Sequence, residues 1–220
     1  MQTAIYLNNR ASTLIEKDSF EKAIDMLNQA LAAVQKDELN ESSSAENSRK
    51  FSTRNCTTGR PSGKYLSTSN KRRKELDDRA AFLYSRPVYV SHVPQAEGHA
   101  FLSWVIIFNF ALCHHLMALR AVDSKNKHEN LVASLKLYEV AASMETDATF
   151  QIESTYFMAM INNAAQICEM LHRPRQAKQH LSQMLALIMI TIESGEADTV
   201  EEFDGYLLNV TRKTFAVAAY

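Results

Sequence analysis

Leu7-Asn-Asn-Arg-Ala-Ser-Thr-Leu-Ile-Glu-Lys-Asp-Ser-Phe-Glu-Lys-Ala-Ile-Asp-Met-Leu-Asn-Gln-Ala-Leu31 aligns without a gap onto Ile161-Asn-Asn-Ala-Ala-Gln-Ile-Cys-Glu-Met-Leu-His-Arg-Pro-Arg-Gln-Ala-Lys-Gln-His-Leu-Ser-Gln-Met-Leu185. Identity falls at Asn8/Asn162, Asn9/Asn163, Ala11/Ala165, Ala23/Ala177, Leu27/Leu181, Gln29/Gln183 and Leu31/Leu185, always 154 residues apart. In the first copy Leu7, Ala11, Leu14 and Ile15 repeat at helical spacing, and Ala23, Leu27, Ala30, Leu31 and Val34 do so again. Lys17-Asp18-Ser19 separates the two stripes, and two helices joined by so short a break pack antiparallel. A weaker middle copy carries Ile107, Asn109 and Ala111 in place of Leu7, Asn9 and Ala11, with Ser134, Tyr138 and Ala141 as its second-helix set.

Working outward from these copies, the chain divides by composition. Residues 1–37 form the first hairpin. Residues 38–80 are rich in Ser, Thr, Asn and basic residues, and so poor in apolar ones that burial cannot offset the entropy of ordering; they are expected to be disordered. Residues 81–99, aromatic and β-branched around Pro87, suit an extended segment laid along the helices or a short edge strand. A second, longer hairpin spans 100–146 and a third 150–193, with Pro174 near the start of its second helix. Gly195 marks a stop, and residues 198–220 make a last, capping helix.

With small residues in both helices of each unit and a bulky one four positions later, this pattern resembles the tetratricopeptide (TPR) family. Ala11, Ala23, Leu27 and Ala30 fit it, as do Ala165, Ala177 and Leu181, whereas Met184 departs at the last small position. The family's first-helix Trp and Tyr and its closing Pro are absent, and the middle copy places Ala111 twenty-three residues before Ser134 instead of twelve. The order of the pieces is also similar to a group of TPR-like proteins abundant in diatoms, whose function is not settled. The resemblance implies an all-α, TPR-like solenoid of about three hairpins, with first helices lining a concave face. It implies no catalytic activity.

Bulk composition agrees with a helical reading. Gly and Pro total 9 of 220 residues, about a third of their usual combined share of about 12%, which leaves few turns for a β architecture. The net charge is −1, but Asn47 to Lys74 holds nine basic residues and no acidic one, so the remainder carries −10. Three cysteines, Cys56, Cys113 and Cys168, give no disulfide framework and suit a reducing compartment. No basic-then-apolar leader opens the chain, so no signal peptide is expected. A cytoplasmic location follows, nuclear if the basic run Lys71-Arg72-Arg73-Lys74 acts as an import signal. Ala100 to Leu119 lacks Asp, Glu, Lys and Arg over twenty residues but carries Ser103, Asn109, His114 and His115. Polar groups are costly at bilayer depth, so this reads as a buried helix and not a membrane span.

The candidate site follows from equivalence. Asn9, Asn109 and Asn163 occupy one first-helix position in the three hairpins, although Asn costs about 0.5–0.7 kcal/mol against Ala inside a helix. An amide offers donor and acceptor together, so a ladder of them suits the main chain of an extended peptide; the alternative use is to fix the packing of neighbouring helices. The partner implied is a protein or extended peptide. A charged clamp for C-terminal carboxylates is missing, because Ile5, Asn8, Val105, Phe108, Ala159 and Asn162 stand at its positions. A second reading places binding in the basic segment, through Lys71 to Lys74, on an acidic partner or nucleic acid under phosphorylation control.

Other chemistry is not expected. Cys113, His114 and His115 point about 100° apart on a helix and do not converge on an ion. His114 falls where the repeat buries a residue. Gly59-Arg-Pro-Ser-Gly-Lys64 is one residue short of a phosphate loop, is followed by Tyr65 and follows no strand. No cofactor or catalytic set is expected.

Overall fold

In the computed structural model, residues 1–46, 66–68, 83–93, 98–146, 154–195 and 203–217 are described. They contain seven helices, α1 (Gln2–Glu16), α2 (Phe20–Glu46), α3 (Gly98–Arg120), α4 (Ser124–Thr146), α5 (Ser154–Met170), α6 (Pro174–Glu193) and α7 (Phe203–Val217). Two three-residue strands, β1 (Leu66–Thr68) and β2 (Val88–Val90), complete the order. Among the described residues the regular structure is all-helical apart from this ribbon. It forms two compact units. Among the described residues the first holds α1, α2, β1, β2 and α3 as far as Asn109; the second holds residues 83–86, α3 from Phe110, and α4 to α7.

In the first unit α1 packs on α2 through Ala11 and Ala23, both fully buried, with Phe20, Leu27, Ala30 and Val34 continuing the α2 stripe. Small side chains there let the two backbones approach closely. The α1 face that goes inward differs from the expected one. Ala4, Ile5, Asn8, Ala11, Ser12 and Ile15 are buried, whereas Leu7 and Leu14 are half-buried. Two polar residues thus take core positions, for a reason that β2 supplies below.

The turns at 17–19 and 171–173 are the same structure. Asp18 and His172 both adopt left-handed backbone, at φ 61° and 56°. Ser19 N–H donates to Leu14 O (2.9 Å) and Asp18 N–H to Ile15 O (3.0 Å). In the other copy Arg173 N–H donates to Cys168 O (2.8 Å) and His172 N–H to Glu169 O (3.0 Å). This pair of bonds is a Schellman cap, which satisfies the last carbonyls of α1 and α5. It recurs at the offset of 154 although no residue of the turn is shared.

In the second unit α5 is buried almost throughout, from Tyr156 and Met158 to Ala165, Ile167 and Cys168. α6 covers it with a single stripe, Ala177, Met184, Ile188 and Thr191. The middle copy keeps the small-residue logic: Ser134, fully buried on α4, donates its hydroxyl to Ala111 O at 2.7 Å. α3, at 23 residues, is longer than the other first helices α1 (15) and α5 (17), whereas α4, also 23, lies between α2 (27) and α6 (20), so only the first helix of the middle hairpin is lengthened.

Some boundaries move. α2 continues to Glu46, nine residues past the first hairpin's expected end; three Glu and the absence of Gly and Pro let a helix already nucleated by packing propagate through Ser42–Ser44. Leu66–Thr68, inside the span read as disordered, pairs antiparallel with β2, Ser67 opposite Tyr89. α3 starts at Gly98, and by length and composition it could cross a membrane. Two thirds of its most apolar stretch is buried inside the protein (67%).

Candidate functional site

Each of the three predicted asparagines holds extended main chain, and that chain is the protein's own. Asn109 lies fully buried on α3. It accepts Val88 N–H on Oδ1 (2.7 Å) and donates Nδ2–H to Val88 O (2.8 Å). Asn9, half-buried on α1, does the same to Val90, accepting its N–H at 2.9 Å and donating to its carbonyl at 2.8 Å. In the second unit Asn163, buried on α5, accepts Tyr84 N–H (3.1 Å) and donates to Tyr84 O (2.8 Å). One amide therefore closes a two-bond ring on both main-chain groups of a single residue, three times over.

Strand geometry explains why Val88 and Val90 are chosen. In an extended chain the N–H and C=O of one residue point to one edge, and those of the next residue to the other. The main chain of residues 88 and 90 therefore turns toward α1 and α3, while Tyr89 turns its own toward β1 at Ser67. Side chains of Val88 and Val90 are buried at 0% and 1% exposure, and Pro87 is buried before them. Tyr89 is half-buried against Thr13 and Glu16, and desolvation raises its pKa above the ordinary value.

A second set of polar residues locks the rungs. In the first unit Asn8 Nδ2 and Ser12 Oγ also donate to Val88 O, at 3.2 and 3.1 Å. Asn109 Nδ2 reaches Asn8 Oδ1 at 2.9 Å and Ser12 Oγ at 3.2 Å. These bonds are why Asn8 and Ser12 take core positions on α1. In the second unit Asn163 Nδ2 donates to Tyr138 Oη at 3.1 Å. Burial pushes the Tyr138 phenol well above its ordinary pKa, with the Asn163 bond opposing weakly, so it stays protonated. Asn209 of α7 donates to Asn162 Oδ1 at 2.6 Å, as Asn109 does to Asn8. Asn162 Nδ2 leans on Asn163 (3.2 Å) as Asn8 leans on Asn9 (3.3 Å).

Reading the sequence alone missed Asn8, Ser12, Tyr138, Asn162 and Asn209. The signal for two of them was present. Asn8 and Asn162 are identical at the repeat offset and adjoin the rungs, although they also stand at positions of the missing charged clamp. Tyr138 is marked in the sequence only as a second-helix repeat position, and Ser12 and Asn209 have no marker that one sequence supplies, since their partners are distant in the chain.

The histidine pair needs correction. His115, not His114, is the fully buried one. Neither of its ring nitrogens has a hydrogen-bond partner, and desolvation lowers its pKa to about 3, so it is neutral. His114 is half-buried, its Nδ1 2.8 Å from Asn130 Oδ1 and its ring stacked on Phe110 at 5.3 Å. Burial also raises the Cys168 thiol pKa, away from nucleophilic thiolate character. Among the described residues no three His, Cys, Asp or Glu side chains group as metal ligands. The basic run Lys71, Arg72, Arg73 and Lys74 lies outside the described residues.

The chain matches no family model, no curated protein and no solved structure.

Proposed function

We propose that this chain is a non-catalytic protein-interaction module of TPR-like build, an adaptor or scaffold whose asparagine rungs take extended main chain. The observation that carries the reading is the two-bond ring that Asn9, Asn109 and Asn163 each close on one residue of an extended segment. Such rings bond main chain without reading side chains, and main-chain hydrogen bonding is one way in which an extended peptide is held. Support for the TPR-like build comes from the buried Ala11/Ala23 and Ala165/Ala177 pairs and the two Schellman turns at equivalent positions.

The test is selection from a random-peptide display library, with the Asn9/Asn109/Asn163→Ala variant as counter-selection and circular dichroism to check folding. Peptides that bind the wild type and lose binding on N-methylation of alternate nitrogens are expected. Binders that tolerate N-methylation, or that bind the folded triple variant equally, overturn the use of the rungs.

A further inference from the structure

The resident strand raises a question of its own. A rung that bonds only main chain accepts any extended chain whose side chains fit, so β2 holds its place by side-chain fit and by tethering. Its outer edge meets β1 over three residue pairs, a ribbon too short to be stable by itself. Its inner edge makes six hydrogen bonds through Val88 and Val90 to four side chains: one each to Asn8 and Ser12, and one to each end of the Asn9 and Asn109 amides. Stripping the strand away would leave these groups without partners beside apolar walls, which is costly. Replacing it by another strand would not.

We infer that Val88–Val90 is an exchangeable self-ligand of the first unit, and that the site takes in its place an extended partner segment of Pro-Val-x-Val type. This rests on the module reading given above. The chemistry of the partner is read from the occupant. Val88 and Val90 fill the two buried positions, so a β-branched residue belongs at each. Pro87 is buried and has no N–H to place, and it stiffens the chain entering the site. Ser91 is exposed, so the residue there is free to vary, whereas Tyr89 lies half-buried against Thr13 and Glu16, so a hydrogen-bonding side chain is favoured at the position between the two valines. Tethering gives the resident strand an effective concentration on the order of millimolar. A free peptide of equal fit therefore binds the intact protein weakly, and any change that weakens the resident strand alone strengthens peptide binding.

That inversion is the test. A fluorescent peptide of sequence 83–93 is titrated into the full chain and into Val88→Pro, which deletes the N–H that Asn109 accepts in the resident strand only. Peptide affinity at least tenfold higher for Val88→Pro, and abolished in the Val88→Pro/Asn109→Ala variant, is the expected result. Unchanged affinity in folded Val88→Pro, or loss of helical structure in that variant, makes the strand an integral part of the fold and overturns the inference. Native-state amide exchange on the unaltered protein decides independently. The Val88 and Val90 amides are expected to exchange by a local opening, well before the Ala11 and Ile15 amides of α1. Exchange only with global unfolding overturns the proposal. Display-selected peptides that bind by N-methylation-sensitive contacts while Val88→Pro gains nothing would remove the self-ligand and keep the module.

Discussion

Asn109 is the residue at which the reasoning is most exposed to measurement. Truncating it to Ala removes the acceptor of Val88 N–H and the donor to Asn8 Oδ1. The Val88 carbonyl is not orphaned, because Asn8 Nδ2 and Ser12 Oγ remain on it. Two buried polar groups are thus left unpaired, at roughly 1–3 kcal/mol each. Ala returns about 0.5–0.7 kcal/mol through its better helix propensity. The expected net loss is about 1–5 kcal/mol, a large part of a small domain's stability. Asn109→Asp separates the two halves of the amide. It keeps an acceptor for Val88 N–H but turns an oxygen toward Val88 O and Asn8 Oδ1, two groups that have no proton to offer. At neutral pH it is expected to cost more than Ala, and to recover in acid as the carboxyl gains a proton and becomes a donor. Urea unfolding followed by circular dichroism at pH 7 and pH 5 measures all of this. A loss under about 0.5 kcal/mol for Asn109→Ala, or Asp milder than Ala at pH 7, would refute the bidentate assignment.

The remaining expectations span both units. His115 is neutral when folded, with its pKa lowered to about 3, whereas an unfolded His titrates near 6.5. Its contribution to stability is therefore complete above about pH 6.5 and is lost as pH falls below it, by up to about 1.4 kcal/mol per pH unit. His115→Leu is expected to flatten that part of the urea-midpoint profile, and a slope that persists unchanged would locate the proton elsewhere. His172, exposed at φ 56°, sits where Schellman caps favour glycine. His172→Gly should raise the melting temperature, by about 0.5–1 kcal/mol of stability; a fall would contradict the strain. Ala23→Leu forces a branched side chain between α1 and α2, at a cost of about 1–3 kcal/mol or more in thermal unfolding. Tyr138→Phe deletes one bond to Asn163, which retains its ring on Tyr84. A loss of about 1 kcal/mol is expected.

Local information in the sequence determined a good deal of this protein. The spacing of Ala11, Ala23, Leu27, Ala165 and Ala177 is enough to set two helix pairs, because apolar periodicity and small-residue placement act over a few turns. Scarcity of Gly and Pro carries the helical class, and Asn9, Asn109 and Asn163 stand out since Asn is a poor helix residue at any one place and unlikely thrice by chance. The chemistry of an amide fixes what these residues hold: an N–H and a carbonyl together. What the amides face was not legible, because it depends on which distant segment arrives there. Val90 is about eighty residues from Asn9 in the chain, and only packing brings the two within 3 Å. The same long-range closure turned Asn8 and Ser12 inward in place of Leu7 and Leu14, and it buried His115 instead of His114. A side chain's face is set by periodicity, but its partner is set by the chain that comes back to meet it.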